Sequence, residues 1–341
     1  RVHRTPLMEA VEATREIPRL IKAGQYEEAM ATRGSSFTEM VRVFEGIAQV
    51  APKEGSSGQR IAIMHAGGLA PGMNSAVRAA VRFGMSRGHT MLGIRGSFQG
   101  LIDGEVSELN WGAVDDWLAV GGAELGTGRS VPSLEQYYAV SRCLENHDVD
   151  ALLVIGGHRA YESLNRMLAE RDRYPGFTIP VIALPTSIDN NLPGWEVSIG
   201  ADTALNEIVS AVDRLKQSAM ASRRCFVVEI MGRYCGFLSL VGAMSVGAEK
   251  VYLHENGVRL ADLSADVEEM ARSFGAGRRF HLAIRNENAS VGYTTEFMCQ
   301  LFTEESGGAY DVRPMVLGHL QQGGNPTPFD RIHATRLAAY C

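Results

Sequence analysis

Four side chains suited to phosphates and hydroxyls follow apolar, β-branched runs: Asp189, Arg233, Glu287 and His319. The first lies in Pro185-Thr186-Ser187-Ile188-Asp189-Asn190-Asn191-Leu192-Pro193-Gly194, after Val181-Ile182-Ala183-Leu184. That loop packs a hydroxyl, a carboxylate and two amides into a proline-bounded turn, the kind of projection from a rigid sheet that carries ligand chemistry. Arg233 closes Met231-Gly232-Arg233, and a second arginine, Arg224, opens the same run. A guanidinium at a strand end forks onto a phosphate with two parallel hydrogen bonds. Glu287, in Arg285-Asn286-Glu287, is placed to accept sugar hydroxyls or to cap a helix. His319 stands in Leu317-Gly318-His319-Leu320-Gln321-Gln322-Gly323-Gly324, among two amides and three glycines. Singly, each has a plain structural reading: a buried polar loop, a surface ion pair, a helix cap, a satisfied core histidine. Their shared position separates the readings. If the runs are parallel strands, all four side chains meet at the carboxyl rim, where α/β proteins place ligands. Arginine for phosphate, with carboxylate and imidazole for hydroxyls, describes a sugar-phosphate pocket.

Two glycine turns also follow apolar runs, Gly67-Gly68 (continuing to Gly72) and Gly156-Gly157, the second followed by His158. Glycine there lets backbone N–H groups approach a phosphate at a helix N-terminus, although such glycines are as often required by the turn alone. Neither turn reads as a dinucleotide fingerprint or a P-loop. Metal-ligand spacing, a nucleophile elbow and a Ser-His-Asp order are absent, which disfavours hydrolase and metal-centre readings.

The elements that must position these groups are legible from period and punctuation. Strands are expected at 60–65, 150–157, 180–185, 224–231, 250–254, 280–285 and 315–319, most followed by a helical pattern. That alternation predicts an α/β, doubly wound, two-lobed unit built on parallel βαβ layers. Residues 1–49 read as a helical prelude broken at Ala23-Gly24, and Pro52-Lys53-Glu54-Gly55-Ser56-Ser57-Gly58-Gln59 as a linker. Composition bounds the rest. With 341 residues, 45% hydrophobic and 21% charged, the chain is long enough for two lobes of a soluble, globular, enzyme-like protein. A net charge of −6 argues against general nucleic-acid binding. The five cysteines are scattered without a C-x-x-C pair, which fits reduced cytosolic thiols. No run approaches eighteen apolar residues, so no membrane span is expected. The start lacks both Met and a signal-type apolar region and reads as the middle of something longer.

From Gly58 to Cys341 the chain resembles the 6-phosphofructokinase family. The stretches that carry the resemblance are GGLAPGMNSAVRAAV, GGAELGTGR, VIGGHRAYESL, PTSIDNNLPG, SIGADTALN, EIMGRYCG and LGHLQQGGNPTPFDR, in the family's order over nearly the whole unit. The prelude is similar to the end of a preceding half plus the connector of the duplicated, eukaryotic-type enzymes. The resemblance therefore implies a C-terminal half, with residues 1–57 as preceding end and linker. Within 58–341, it implies a nucleotide-type lobe (58–200 with 321–341) and a sugar-phosphate lobe (201–320). It implies Asp189 at the position of the catalytic base within the loop Ser187, Ile188, Asp189, Asn190, Asn191, and Arg233 of Met231-Gly232-Arg233 steadying the transferred phosphoryl group. It further implies Arg129 between sugar and nucleotide, and Glu287, His319, Leu320, Gln321 and Gln322 around the sugar. Arg224 and Arg313 match a pair that reaches the sugar 6-phosphate of a neighbouring unit.

Departures from the family pattern are as informative. Catalytic units carry an aspartate in each glycine turn, where Leu69 and His158 stand here, and Arg159 replaces a small glycine beside the phosphates. Magnesium takes hard oxygen ligands, which neither leucine nor imidazole supplies. The last loop aspartate is Asn191, and Thr186 and Arg159 occupy places that pyrophosphate-using relatives fill with lysine and aspartate. The expectation is a parent enzyme that uses ATP and Mg2+ to convert fructose 6-phosphate to fructose 1,6-bisphosphate in glycolysis. This half, its metal site lost, is expected to bind fructose 2,6-bisphosphate as allosteric effector beside an N-terminal catalytic half. A cytoplasmic homo-oligomer follows, with neither nucleic acid nor membrane as partner. Two rivals stay open: that this half itself turns over fructose 6-phosphate, since Asp189 and Arg233 are present, or that it is a non-enzymatic sugar-phosphate-binding scaffold.

Overall fold

A computed structural model describes residues 6–48, 58–219 and 223–341. The chain begins with three helices, α1 (Pro6–Lys22), α2 (Tyr26–Thr32) and α3 (Ser35–Ala48). The break falls where the sequence places it, at Gly24, whose φ is +75°. Most of the linker expected at 52–59 lies outside the described residues. Helix α3 packs on the body and is tied to it by an ion pair from Arg336 to Glu39 at 3.0 Å.

The first sheet grows by strand-helix alternation. Its elements are β1 (Arg60–Ala66), α4 (Met73–Ser86), β2 (Thr90–Ile94), α5 (Ser97–Asp103) and β3 (Val106–Leu109). They continue with α6 (Tyr137–Asn146), β4 (Ala151–Gly156), α7 (His158–Ala169) and β5 (Val181–Pro185). The strand order is β3-β2-β1-β4-β5. Chain direction across the sheet reverses between β1 and β4, so the loops after these two strands splay apart and open a crevice there. The strands at that point are almost wholly apolar and buried, as parallel strands covered on both faces must be.

The second sheet follows from α8 (Ala201–Ala219) through β6 (Arg224–Ile230), α9 (Phe237–Val246), β7 (Lys250–Tyr252) and α10 (Leu260–Gly275). It is completed by β8 (Phe280–Asn286), α11 (Thr295–Glu305) and β9 (Asp311–Val316), in the order β7-β8-β6-β9, all parallel. The final helix, α12 (Pro328–Tyr340), returns to the first sheet and packs Ala334 and Ala338 beside α4. Ala70 and Ile188, from loops of the first sheet, enter the core formed by α8, α9 and the second sheet. The two sheets therefore share packing next to the crevice.

Three expectations need correction. The layers are not wholly parallel, because β3 runs antiparallel to β2 at the sheet edge. Strands β2 and β3 went unread, being short and interrupted by glycine or acidic residues. The strand expected at 315–319 lies instead at Asp311–Val316, and His319 belongs to the 3-10 turn Gly318–Gln322. Pro314 disguised this strand. It is tolerated because β9 is an edge, where a missing N–H leaves no ladder partner unpaired.

One buried carboxylate joins α12 to the start of α8. Asp330 accepts the Gly200 and Thr203 N–H groups, each at 2.8 Å, and the Thr203 hydroxyl at 2.5 Å. The first turn of α8 thus receives its cap from a residue 130 positions away. Thr327, the N-cap of α12, returns the contact by donating its hydroxyl to Asp202 at 2.6 Å. Asp330→Ala strands three buried donors at the start of α8, so an unfolding free-energy loss of about 3 kcal/mol is expected. A lowered urea midpoint with unchanged slope is the check; an unmoved midpoint contradicts the role given to this carboxylate.

Candidate functional site

Between the carboxyl rims of the two sheets lies a cleft of about 450 Å³. It draws on the loops after β1, β4 and β5 of the first sheet and after β6, β8 and β9 of the second. From the first sheet come Gly68 after β1, Gly157 and His158 after β4, and Ser187, Ile188, Asp189 and Asn191 after β5. From the second come Met231 and Arg233 after β6, Glu287 after β8, and His319 and Gln322 after β9. Arg129 enters from the segment that precedes α6.

The loop after β5 is held from within and from beneath. The Ser187 hydroxyl accepts the Asp189 N–H at 3.1 Å and donates to the Asn191 side chain at 3.3 Å. Asn190 sits in the left-handed region at φ +50° and turns away from the cleft, donating to Glu196 O at 2.9 Å and accepting the Ser198 N–H at 2.8 Å. This bracing presents Asp189 to the cleft. Burial pushes the Asp189 carboxyl above its ordinary range, the nearby Glu287 charge adds to the push, and Arg233 and Arg129 oppose it. A carboxylate so placed is a better proton acceptor than one in water.

Arg233 and Glu287 form the other wall. Gly232 has φ +147°, and a Cβ there would lie 2.4 Å from Cys235 O, so only glycine fits. Arg233 follows at φ +50°, an uncommon state for a side-chain-bearing residue and one that clusters at functional sites. The turn aims two N–H groups at one oxygen: Glu287 Oε1 accepts from Gly232 at 3.2 Å and from Arg233 at 2.7 Å. Glu287 is thereby fixed at the cleft wall. Neither Arg233 nor Arg129 makes an ion pair among the described residues. Their charges remain available to an anion.

On the first-sheet side, α7 starts at His158 with Gly157 as an N-cap that offers no side chain. Leu69, Thr186 and Arg159 also line this part of the cleft, and Arg159 pairs with Glu162 at 2.7 Å. No group of three His, Cys, Asp or Glu side chains placed to hold a metal occurs among the described residues.

Several expected site residues stay outside the cleft. Gly67 and Gly156 serve the backbone: Gly67 N–H donates to Gly128 O at 2.7 Å, and a Cβ on Gly156 would lie 2.0 Å from Ala66 O. Gln321 is buried and its amide donates to Gly318 O at 3.0 Å, closing its own turn, while Leu320 points to solvent at 67% exposure. The tight 3-10 turn spreads consecutive side chains around its axis, so only His319 and Gln322 of the four face the cleft. Gly232 contributes its backbone alone. Arg224 and Arg313 lie toward the amino ends of β6 and β9, sharing Asp311 at 3.5 and 2.9 Å, at the far edge of the sheet. They do not reach this chain's cleft. Conversely, Tyr234 and Asn288 line it without having been singled out. Each directly follows a named residue, Arg233 and Glu287, and that adjacency was the available signal.

The chain matches the family described as phosphofructokinase over residues 60–341. It is 42% identical, over 98% of its length, to an ATP-dependent 6-phosphofructokinase of Dictyostelium discoideum, of which it covers 40%. It is 40% identical to the platelet-type ATP-dependent 6-phosphofructokinase of Rattus norvegicus, covering 98% of this chain and 43% of that one. Among solved structures, Pichia pastoris phosphofructokinase in the T-state superposes with a TM-score of 0.93 at 35% identity, over 99% of this chain and 39% of that chain. Phosphofructokinase from Saccharomyces cerevisiae gives 0.93 at 36% identity, over 98% of this chain and 45% of that chain. The chain thus spans about two fifths of the length of the curated relatives it matches.

The raised proton affinity of Asp189 has a stability consequence with a definite sign. Folding strengthens proton binding here, so the ionised carboxylate penalises the folded state above its raised folded value, and the penalty disappears below its ordinary unfolded value. Asp189→Asn is therefore expected to raise the melting temperature at pH 7 and to lose that gain on acidification below the ordinary carboxylate range. Melts of both proteins across pH test it. A destabilised variant at pH 7 refutes it.

Proposed function

The chain belongs to the phosphofructokinase family, and on that premise we propose that it is the effector-binding half of an ATP-dependent 6-phosphofructokinase. The parent polypeptide would transfer the terminal phosphoryl group of ATP to fructose 6-phosphate, giving ADP and fructose 1,6-bisphosphate in glycolysis. This half would bind a phosphorylated ketose, fructose 2,6-bisphosphate, beside an N-terminal catalytic half in a cytoplasmic homo-oligomer. The supporting observation is an asymmetry within one cleft. Arg129, Asp189, Arg233, Glu287 and His319 converge on the sugar side, whereas Leu69, His158 and Arg159 line the side that would receive a metal-bearing phosphate donor.

The residues present do not fit magnesium. The ion takes an octahedron of hard oxygens, and leucine, imidazole and guanidinium supply none. No step through a metal–nucleotide is assigned to this chain. The guanidinium and imidazole N–H donors suit a bare phosphate, so a ligand with two phosphates and no metal matches the cleft better than a nucleotide complex. In this reading Arg233 and Arg129 take one phosphate, Glu287 and Asp189 accept hydroxyl protons, and His158 with Arg159 and the start of α7 meet the second phosphate. Arg224 and Arg313 would complete the pocket of an adjoining unit. A ligand that bridges units can favour one packing of the assembly over another, which is how an effector here would shift the catalytic half.

One observation favours a second reading: Asp189 is poised as a base with Arg233 beside it. In that reading the half itself turns over fructose 6-phosphate.

Titration calorimetry of the full-length protein against fructose 2,6-bisphosphate, with and without Arg233→Ala, tests the first reading. Arg233→Ala is expected to weaken binding about 10-fold or more, the worth of a charged hydrogen-bonded contact. Asp189→Ala should leave saturated turnover near normal while altering activation. Near-complete loss of turnover at saturating substrate and activator would establish the second reading instead.

A further inference from the structure

We infer that Asn286 is a positioning residue of the cleft, locking the two loops that carry Arg233 and Glu287 into one preset wall. The inference rests on the sugar-phosphate reading above. Asn286 is the last residue of β8, is completely buried and does not itself line the cleft. Its amide spans two loops. Nδ2 donates to Cys235 O at 3.1 Å, in the turn after β6, and Oδ1 accepts the Asn288 N–H at 2.9 Å, in the loop after β8.

Besides this amide, the turn after β6 is held by Glu287 and, through the Gly236 N–H, by Glu255 at 2.8 Å. Gly232 and Arg233 both adopt positive φ, and the Cys235 N–H closes the turn on Gly232 O at 2.9 Å. A Cβ on Gly232 would meet both ends of the Asn286 contact, at 2.4 Å from Cys235 O and 2.9 Å from Asn286 Nδ2. The asparagine amide therefore lies against the backbone it holds. With this contact in place, the Gly232 and Arg233 N–H groups converge on Glu287 Oε1.

The other side of the β8 loop is fixed independently. Arg285 is 1% exposed and donates to Asn286 O, Glu287 O, Ser290 O and Tyr293 O at 2.7–3.1 Å, besides pairing with Glu229 at 2.9 Å. Arg285 makes the 286–293 loop rigid but does not touch the β6 turn. The Asn286 amide is a second side-chain link, beside Glu287, that registers one against the other from behind the cleft. Asparagine supplies a donor and an acceptor at this length in a group that carries no charge at any physiological pH. A buried partial replacement leaves a donor or acceptor unsatisfied, which is costly where no water reaches.

The test compares Asn286→Ala and Asn286→Asp with Met298→Ala in the full-length protein, by calorimetric titration with fructose 2,6-bisphosphate well below the melting temperature of each. Ionised Asp keeps the acceptor for Asn288 and loses the donor to Cys235, so the titrations are run at about pH 8. Met298 is fully buried in the core on the outer face of the same sheet and serves as a control for a general loss of stability. Both Asn286 variants are expected to weaken binding about 10-fold or more, with Met298→Ala binding as the parent does despite a lowered melting temperature. Unchanged affinity in a folded Asn286 variant overturns the inference, as does an equal loss in Met298→Ala. If Arg233→Ala also leaves affinity unchanged, the sugar-phosphate reading falls with it. If Arg233→Ala weakens binding and the Asn286 variants do not, the inference alone falls.

Discussion

The cleft depends on one shared carboxylate oxygen. Glu287 Oε1 takes the two N–H groups of the Gly232–Arg233 turn, so the carboxylate from β8 and the guanidinium from β6 cannot be oriented separately. A backbone in the left-handed region would relax if left to itself. Here it is held by a charged acceptor, by a glycine with no room for a side chain, and by a buried amide behind both. Preorganisation of this kind moves the ordering cost of binding into folding, where many core contacts share it.

The same wall sets the electrostatics. Asp189 and Glu287 place two carboxylates across one cleft, an arrangement that burial makes unfavourable, and Arg233 and Arg129 restrain it. A phosphate arriving beside those arginines replaces solvent with a fixed counter-charge. A neutral ligand would leave the arginines with nothing to neutralise. On the opposite side, imidazole and guanidinium occupy places where hard oxygen ligands would be needed for a magnesium-bearing donor. On the proposed reading, the chemistry of the cleft suits phosphate as an anion without a metal to carry it.

The clasp between α8 and α12 shows how the two sheets are kept in register around this cleft. Asp330 lies in the terminal helix on the first sheet, yet it caps the helix that leads into the second. Its burial and full set of donors give α8 a defined starting direction, and α8 in turn lies against the core that contains Ile188 from the Asp189 loop. A contact far from the cleft residues in sequence therefore bears on where those residues stand.

Local chemistry made much of this readable. Apolar β-branched runs ended by polar residues identified most of the strands, and strand ends identified Asp189, Arg233, Glu287 and His319 as a set, because parallel strands share one carboxyl rim. The departures at Leu69, His158 and Arg159 are visible only against the pattern of the family the chain resembles, and residue type then says that no hard oxygen is supplied there. What the one-dimensional pattern did not contain was direction within turns. Leu320 and Gln321 looked as eligible as His319 and Gln322 until the 3-10 turn sent them elsewhere, and Tyr234 and Asn288 looked like bystanders. Pro314 hid an edge strand because only the sheet order reveals which strand has no partner on one side. The links made by Asn286 and Asp330 join segments 51 and 130 positions apart. Such contacts depend on how two sheets pack, and only the assembled tertiary structure decides them.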